Sequence, residues 1–327
     1  MSARLPRPLG ALAVALLLAF GGFAPSGPVD LVTARQARAP VTQPSAAPVV
    51  ALPNRKGSLK FAVLGDFGTG KPDQYQMATQ MARVRQQFPF ELGLLVGDNL
   101  YGSERPQDFR TKFEIPYKPL LDANVKFYAS LGNHDSREQR SYQLFNMNGE
   151  LYYTFKAPSQ NVRFFALEST YPEPKQIAWL EKALKDSNDD WKIAFFHHPP
   201  YSSGGRHGSD IRLRQTLEPL FVQYNVSVVF TGHDHFYERV KPQKSIVYFV
   251  VGSGGKLSPG DIQEDSAITA RGFDQDYVFL VGEIVDDQMT FNAVARSGRI
   301  VDSGVIARRQ PAARPAPAPP APRPSRP

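Results

Sequence analysis

Not one cysteine occurs in the 327 residues. That absence removes disulfide frameworks, thiolate metal sites, cysteine nucleophiles and a lipobox-type lipid anchor from consideration. Metal ligands, if any, must be histidine, carboxylate, amide or phenol. A run long enough to span a membrane is also missing. The apolar stretch Leu9 to Phe20, behind Arg4 and Arg7, falls short of the ~20 residues a span needs. It reads as a secretory signal over residues 1–24, with Gly22 and Ala24 as the small residues before cleavage; an uncleaved anchor is the lesser alternative. The expectation is a secreted or periplasmic protein with no stable membrane span after processing.

Periodicity is absent from residues 25–57, which are rich in Pro, Ala, Thr, Ser and Gln, so they read as a disordered linker. Residues 310–327, made of Pro, Ala and Arg, read as a second tail. Acidic residues are missing from 308–327, which holds Arg308, Arg309, Arg314, Arg323 and Arg326. The formal charge of +7 therefore resides in the ends: +5 over residues 1–57, +5 over 308–327, and −3 over 58–307. The basic balance belongs to the tails and gives no reason to expect nucleic acid. The tails read as solvated segments; contact with anionic cell-envelope polymers is the lesser alternative. No internal repeat is present, and residues 58–309 suit one domain of about 250 residues.

Within that domain, apolar runs of strand length recur at Leu59–Leu64, Leu92–Val96, Val125–Leu131, Leu151–Phe155, Val162–Leu167, Ile193–Phe196, Val226–Phe230, Ile246–Val251, Tyr277–Val281 and Met289–Val294. Helical patterns fall between them. Pro72–Gln87 has Pro and Asp in its first turn, Pro174–Asp186 is amphipathic, and Asp210–Tyr224 begins behind an Asp cap and is interrupted near Pro219. Gln107–Leu121 contains Pro116 and Pro119 and reads as broken helix. Strand and helix alternate first, and strands predominate after residue 240. This order suggests an α/β fold in four layers, α/β/β/α, with two mixed sheets face to face and helices outside.

The chemistry concentrates where these runs end. Val63-Leu64-Gly65-Asp66-Phe67-Gly68 and Leu95-Val96-Gly97-Asp98-Asn99-Leu100-Tyr101 each place a carboxylate just past an apolar run. Such ends mark the carboxyl edge of a sheet, where open α/β folds keep their sites. All six histidines follow apolar runs as well: His134, then His197, His198 and His207, then His233 and His235. Alone, each has a plainer reading. Asp66 or Asp98 could be a cap or turn residue, Tyr101 a packed aromatic, and Gly132-Asn133-His134-Asp135 an ordinary turn. His233 and His235, if extended, project to one side and could chelate one ion or flank two. Together they form a set of N and O donors suited to two metal ions. A carboxylate can bridge such a pair, and a water held between the ions loses a proton and becomes the nucleophile. Ser202, Ser203 and Gly204-Gly205 lack the strand-to-helix elbow of a nucleophilic serine and the pattern of a phosphate loop, and read as loop.

Five ordered blocks resemble the calcineurin-like metallophosphoesterases: Gly65-Asp66-Phe67-Gly68, Gly97-Asp98-Asn99-Leu100-Tyr101, Gly132-Asn133-His134-Asp135, His197-His198-Pro199-Pro200-Tyr201 and Gly232-His233-Asp234-His235. The similarity spans about residues 59 to 240. Phe67-Gly68 stands where most of the superfamily has a ligand histidine, and Tyr101 follows Asp98 by three, as in the purple acid phosphatase branch. By that resemblance, Asp66, Tyr101 and His235 would hold Fe(III). Asn133, His197 and His233 would hold Fe(II), Zn(II) or Mn(II), with Asp98 bridging. His134 would face the substrate phosphate and help the leaving group, and His207 resembles the family's second catalytic histidine. The pattern of a ligand two residues before Pro selects His197; the alternative is that His198 binds and His197 packs. Asp135 would orient a neighbour. Residues 25–57 lack strands, so the large N-terminal β-domain of plant-type members is not expected.

The resemblance implies an exported acid phosphatase acting on small phosphomonoesters. A phosphodiesterase or nucleotidase on the same metals would need room and positive charge for a second arm, which Arg206, Arg137 and Arg140 could supply. A binding protein on a catalytically dead fold would show a broken ligand set, whereas every ligand position here is filled.

Overall fold

The computed structural model describes residues 50–263 and 265–310, which belong to one compact unit. In chain order the elements are β1 (Leu59–Leu64), α1 (Pro72–Gln87), β2 (Leu92–Val96), α2 (Pro106–Phe109), a π turn over Arg110–Glu114, and α3 (Lys118–Asp122). Then follow β3 (Lys126–Ser130), two 3-10 turns (Arg137–Ser141 and Gln143–Phe145), β4 (Tyr153–Lys156), β5 (Val162–Ala166), α4 (Pro174–Asp186), β6 (Trp191–Phe195) and α5 (Ile211–Gln223). The chain closes with β7 (Val226–Thr231), β8 (Tyr237–Val240), β9 (Val247–Val251), β10 (Thr269–Phe273), β11 (Val278–Val285), β12 (Gln288–Ala295) and β13 (Ile300–Ala307).

The strands form two mixed sheets, ordered β13-β12-β11-β1-β2-β3 and β10-β8-β9-β7-β6-β5-β4. In the first, β1, β2 and β3 run parallel; in the second, β5, β6, β7 and β9 do. Side chains alternate along each strand, so each sheet has two apolar faces. Phe61 and Val63 of β1 point between the sheets with Phe164, Ile193, Phe195, Phe230 and Phe249 of the second. Phe61 meets both Phe164 and Phe230 edge-on with ring centroids 6.0 Å apart, a favoured aromatic geometry. The intervening Ala62 and Leu64 face outward onto Met77, Met81 and Val84 of α1. On the other side, Phe165 and Ala194 pack under Leu180 and Leu184 of α4 and Leu213 and Leu217 of α5. The result is the four-layer α/β/β/α sandwich.

The helices start where capping chemistry allows. Pro occupies the first turn of α1 and of α4, and the Asp210 carboxylate accepts the Leu213 N–H (2.9 Å) at the start of α5. The interruption expected near Pro219 does not occur: α5 runs through it. Pro219 and Gln215, whose carbonyl loses its helical partner, are both exposed, so the helix face that forgoes the hydrogen bond is the one turned to solvent.

Two boundaries also differ from the composition reading. The linker assigned to 25–57 is packed from residue 50 onward: Val50 and Leu52 cover the outer core. There, buried Glu283 accepts the N–H groups of Asn54 (2.7 Å) and Arg55 (2.6 Å). A segment with no pattern of its own is thus ordered by acceptors the sheet presents. At the other end, Arg308 pairs with Asp287 (2.7 Å) and Asp190 (3.2 Å), and the Arg309 guanidinium donates to the carbonyls of Phe221 (3.1 Å) and Val226 (3.2 Å). These two charges belong to the domain. The signal over 1–24, the linker up to residue 49 and the tail from 311 lie outside the described residues.

Candidate metal centre

The carboxyl ends of the parallel strands in both sheets meet at one edge. Asp66 donates its N–H to the Gly97 carbonyl (3.0 Å) and Phe67 to that of Asp98 (3.3 Å), which joins the turns after β1 and β2. The second sheet is tied in by Gly232 N–H to the His197 carbonyl (2.9 Å) and by His233 N–H to Asp66 Oδ2 (2.9 Å). Asp66, Asp98 and His233 all adopt left-handed backbone, with φ of 55°, 50° and 74°. Such conformations cost ~1–3 kcal/mol each and persist where the surrounding structure imposes them, often at functional sites.

Two groups of donor atoms result. In the first, Asp66, Asp98 and His235 place ligand atoms within 4.8 Å of one another. Tyr101 joins them, its hydroxyl 3.2 Å from Asp66 Oδ1 and 3.4 Å from His235 Nε2. In the second, His197 Nε2 lies 3.0 Å from Asn133 Oδ1, 3.1 Å from His233 Nδ1 and 3.4 Å from Asp98 Oδ1. Asp98 is common to both. The left-handed turn at His233 breaks the extended geometry that would point His233 and His235 the same way, so the two imidazoles serve different groups.

Of the neighbouring pair, His197 is the one at the centre of its group. Its Nδ1 sits 3.0 Å from the Val96 carbonyl oxygen, which fixes the tautomer and leaves Nε2 bare. His198 Nδ1 lies 3.0 Å from Ser169 Oγ, and the other nitrogen is free to face the group. His197, His198 and His233 each place a nitrogen within 4.8 Å of the others. Asp135 orients its neighbours: it accepts the N–H groups of Gly132 (2.8 Å), Asn99 (3.0 Å) and Leu100 (3.0 Å), shaping the two turns that carry Asp98 and Asn133.

His134 and His207 stand exposed at the edge of the two groups. The His134 ring lies 5.0 Å from that of Tyr101, and the His207 ring 4.3 Å from that of His233. The candidate residues are therefore all brought to one place. Not anticipated were Ser169, which holds His198, and Lys256, whose Nζ lies 3.9 Å from the centre of the Tyr101 ring. Lys256 sits in a glycine-rich loop after β9, with no motif to single it out.

The donor set fits cations. Asp66 and Asp98 are 0% and 1% exposed, and among the described residues their ion pairs are with His235 and His197 alone. Burial, with the neighbouring Asp98 charge adding to it, pushes the Asp66 carboxyl well above the usual range. Burial also works to raise Asp98, but the His197 imidazole and the His134 amide together bring it below the carboxylate norm. The Tyr101 phenol is pushed far up by burial and by both carboxylates. Burial, with the surrounding imidazoles, lowers His233 to about 2, and burial with Lys256 lowers His235. Neutral imidazoles beside paired buried acids are what a metal ion binds and what the protein alone leaves uncompensated.

The family model for the calcineurin-like phosphoesterases matches residues 59–237, and the chain belongs to that family. It is accordingly a metal-dependent hydrolase of phosphate esters, and the family and the two donor groups together imply two metal ions. Among curated proteins it is similar to purple acid phosphatase 17 of Arabidopsis thaliana, at 29% identity over 241 residues, covering 63% of this chain and 71% of that one. It is likewise similar to tartrate-resistant acid phosphatase type 5 of Oryctolagus cuniculus, at 27% over 244 residues, 62% of this chain and 74% of the other. Among solved structures the fold is shared with purple acid phosphatase PPD1 of Lupinus luteus (TM-score 0.66, 18% identity, 79% of this chain and 55% of that one). It is shared equally with GAP50, the anchor in the inner membrane complex of Plasmodium (TM-score 0.65, 20% identity, 78% and 90%). Fold alone thus does not decide the role, and the argument rests on the site.

Proposed function

We propose that the chain is an exported acid phosphatase that hydrolyses small phosphomonoesters with two metal ions held around Asp98. Asp66, Tyr101 and His235 would hold Fe(III), and Asn133, His197 and His233 would hold Fe(II), Zn(II) or Mn(II). The observation that carries this reading is Asp98 itself: a buried carboxylate belonging to both donor groups, one containing a phenol and the other an amide. When bound, the two ions supply charge neutralisation at the phosphoryl oxygens and acidify the attacking water.

The chain's own residues do the rest. Asp135 and the Val96 carbonyl hold the turns and the His197 ring in place before substrate arrives. His134, beside Tyr101, would face the ester phosphate and donate a proton to the departing alkoxide, and His207, beside His233, would be the second catalytic histidine. Similarity to purple and tartrate-resistant acid phosphatases supports the monoester preference. No helix among the described residues is long and apolar enough to cross a membrane; export rests on the signal-like start of the sequence.

The test is the visible absorption spectrum of the as-purified protein beside that of Tyr101→Phe, with turnover of phenyl phosphate and bis(4-nitrophenyl) phosphate. The expected result is a charge-transfer band lost in the variant and faster monoester cleavage. A colourless two-metal enzyme would keep the phosphoesterase class and remove iron and Tyr101 from the account. Faster diester cleavage would replace phosphatase with phosphodiesterase.

A further inference from the structure

We propose that Lys256, seconded by Arg206, is a specificity-determining residue that favours phosphate esters whose alcohol part carries a second negative charge, such as a carboxylate or another phosphate. The inference rests on the phosphoesterase reading and adds the substrate class to it.

Lys256 is built into the site. Its loop is clamped to the turn that carries Asp66: Gly254 N–H donates to the Gly65 carbonyl and Gly255 N–H to that of Asp66, both at 3.0 Å. A side chain at Gly255 would lie 2.1 Å from the Phe67 carbonyl oxygen, so only glycine permits this approach. Just beyond, Ser258 N–H donates to the His235 carbonyl (3.0 Å). Between these anchors the Lys256 ammonium lies 3.9 Å from the Tyr101 ring centre, on the Asp66/Tyr101/His235 side. Contact with a ring face satisfies a cation only partly, and among the described residues Lys256 has no carboxylate partner.

Arg206 precedes His207 in the chain. Its backbone N–H is held by Asp261 Oδ1 (2.9 Å), beside His207, whose ring lies against His233. Its side chain is exposed and likewise makes no ion pair among the described residues. Residues 58–307 carry a net −3, so two cations without carboxylate partners close to the candidate site in the chain fold are not a consequence of general basicity. The metal ions would take the phosphoryl group; a fixed ammonium beside them, already desolvated on its ring-facing side, is left to recognise another anion.

The test uses the full-length, metal-loaded protein and two non-hydrolysable probes of matched length, propylphosphonate and 3-phosphonopropionate, titrated by calorimetry. Hydrolysis of propyl phosphate and 3-carboxypropyl phosphate is measured in parallel. In the wild type the carboxylate should tighten binding about fivefold, the size of a well-formed ion pair in contact with water. The ratio of the two dissociation constants should fall towards one in Lys256→Gln, return in Lys256→Arg, and fall partway in Arg206→Ala. Because it is a ratio, general damage to the site does not mimic the effect. Equal affinities in the wild type, or an unchanged ratio in Lys256→Gln, would overturn the proposal while leaving propyl phosphate hydrolysis, and so the phosphoesterase reading, intact. Absence of both binding and hydrolysis would overturn the two together.

Discussion

The Nδ1 nitrogen of His197 lies 3.0 Å from the carbonyl oxygen of Val96, a hydrogen bond that runs from the end of β6 in one sheet to the end of β2 in the other. It orients the imidazole so that Nε2 faces Asp98 and Asn133, and it makes the donor geometry depend on how the two sheets pack. Replacing His197 with Ala should release the ion of its group and lower phosphatase activity at least about 100-fold, since even partners of metal ligands are worth 10–100-fold. Metal content and turnover of the purified variant check both.

Gly97 lies under the same ring. With φ of 88°, it occupies backbone that other residues enter at a cost, and a Cβ there would sit 2.6 Å from His197 Nδ1. Gly97→Ala should therefore destabilise the protein by about 1–3 kcal/mol and weaken metal retention together. Denaturant unfolding with and without chelator separates the two effects.

The sandwich depends on aromatic packing between the sheets, with Phe61 at the centre against Phe164 and Phe230. Phe61→Ala should cost about 3–5 kcal/mol, because it adds a cavity to the lost transfer energy. A midpoint shift in urea at unchanged slope would show that the effect is on stability alone.

Away from the site, buried Asp189 receives Arg163 at 2.5 Å, Lys156 at 3.3 Å and Ser187 at 2.9 Å. Burial alone would raise its pKa, but these partners outweigh it and hold the carboxyl below its ordinary value. The unfolded chain binds this proton more readily, so the stabilisation is present above about pH 4 and disappears as pH falls through the folded-state value. Asp189→Asn should be less stable than wild type at pH 7 by ~1–2 kcal/mol, with the difference closing as pH falls below the ordinary carboxylate range. Parallel melting curves across that range measure it.

Much of this architecture can be read in the sequence because the information is local. Leu59–Leu64, Leu92–Val96 and Val226–Phe230 are buried on both faces, so their apolar runs announce them, and the Asp or His just past each run marks the functional edge. The strands β8, β10 and β13 escape such reading. Their sequences carry Glu, Arg, Asp, Ser and Gly, and their conformation is imposed by neighbours, as where Asp302 of β13 accepts Tyr237 (2.8 Å) and Arg239 (2.7 Å) of β8. The same holds for residues 50–57, which are ordered by Glu283 and Asn292 far along the chain. Lys256 gave no signal because what makes it notable is its distance from Tyr101, a pairing across many residues. The geometry at His233 was equally hidden, since a left-handed turn in a non-glycine residue follows from the site and not from local preference.

The central claim is that Asp98 joins two donor groups into one centre for two ions, and metal stoichiometry tests it most directly. The account predicts two metal ions per chain in the protein by elemental analysis, and at most one in a folded Asp98→Ala variant. One ion or none in the wild type, or two retained when Asp98 is removed, would contradict it.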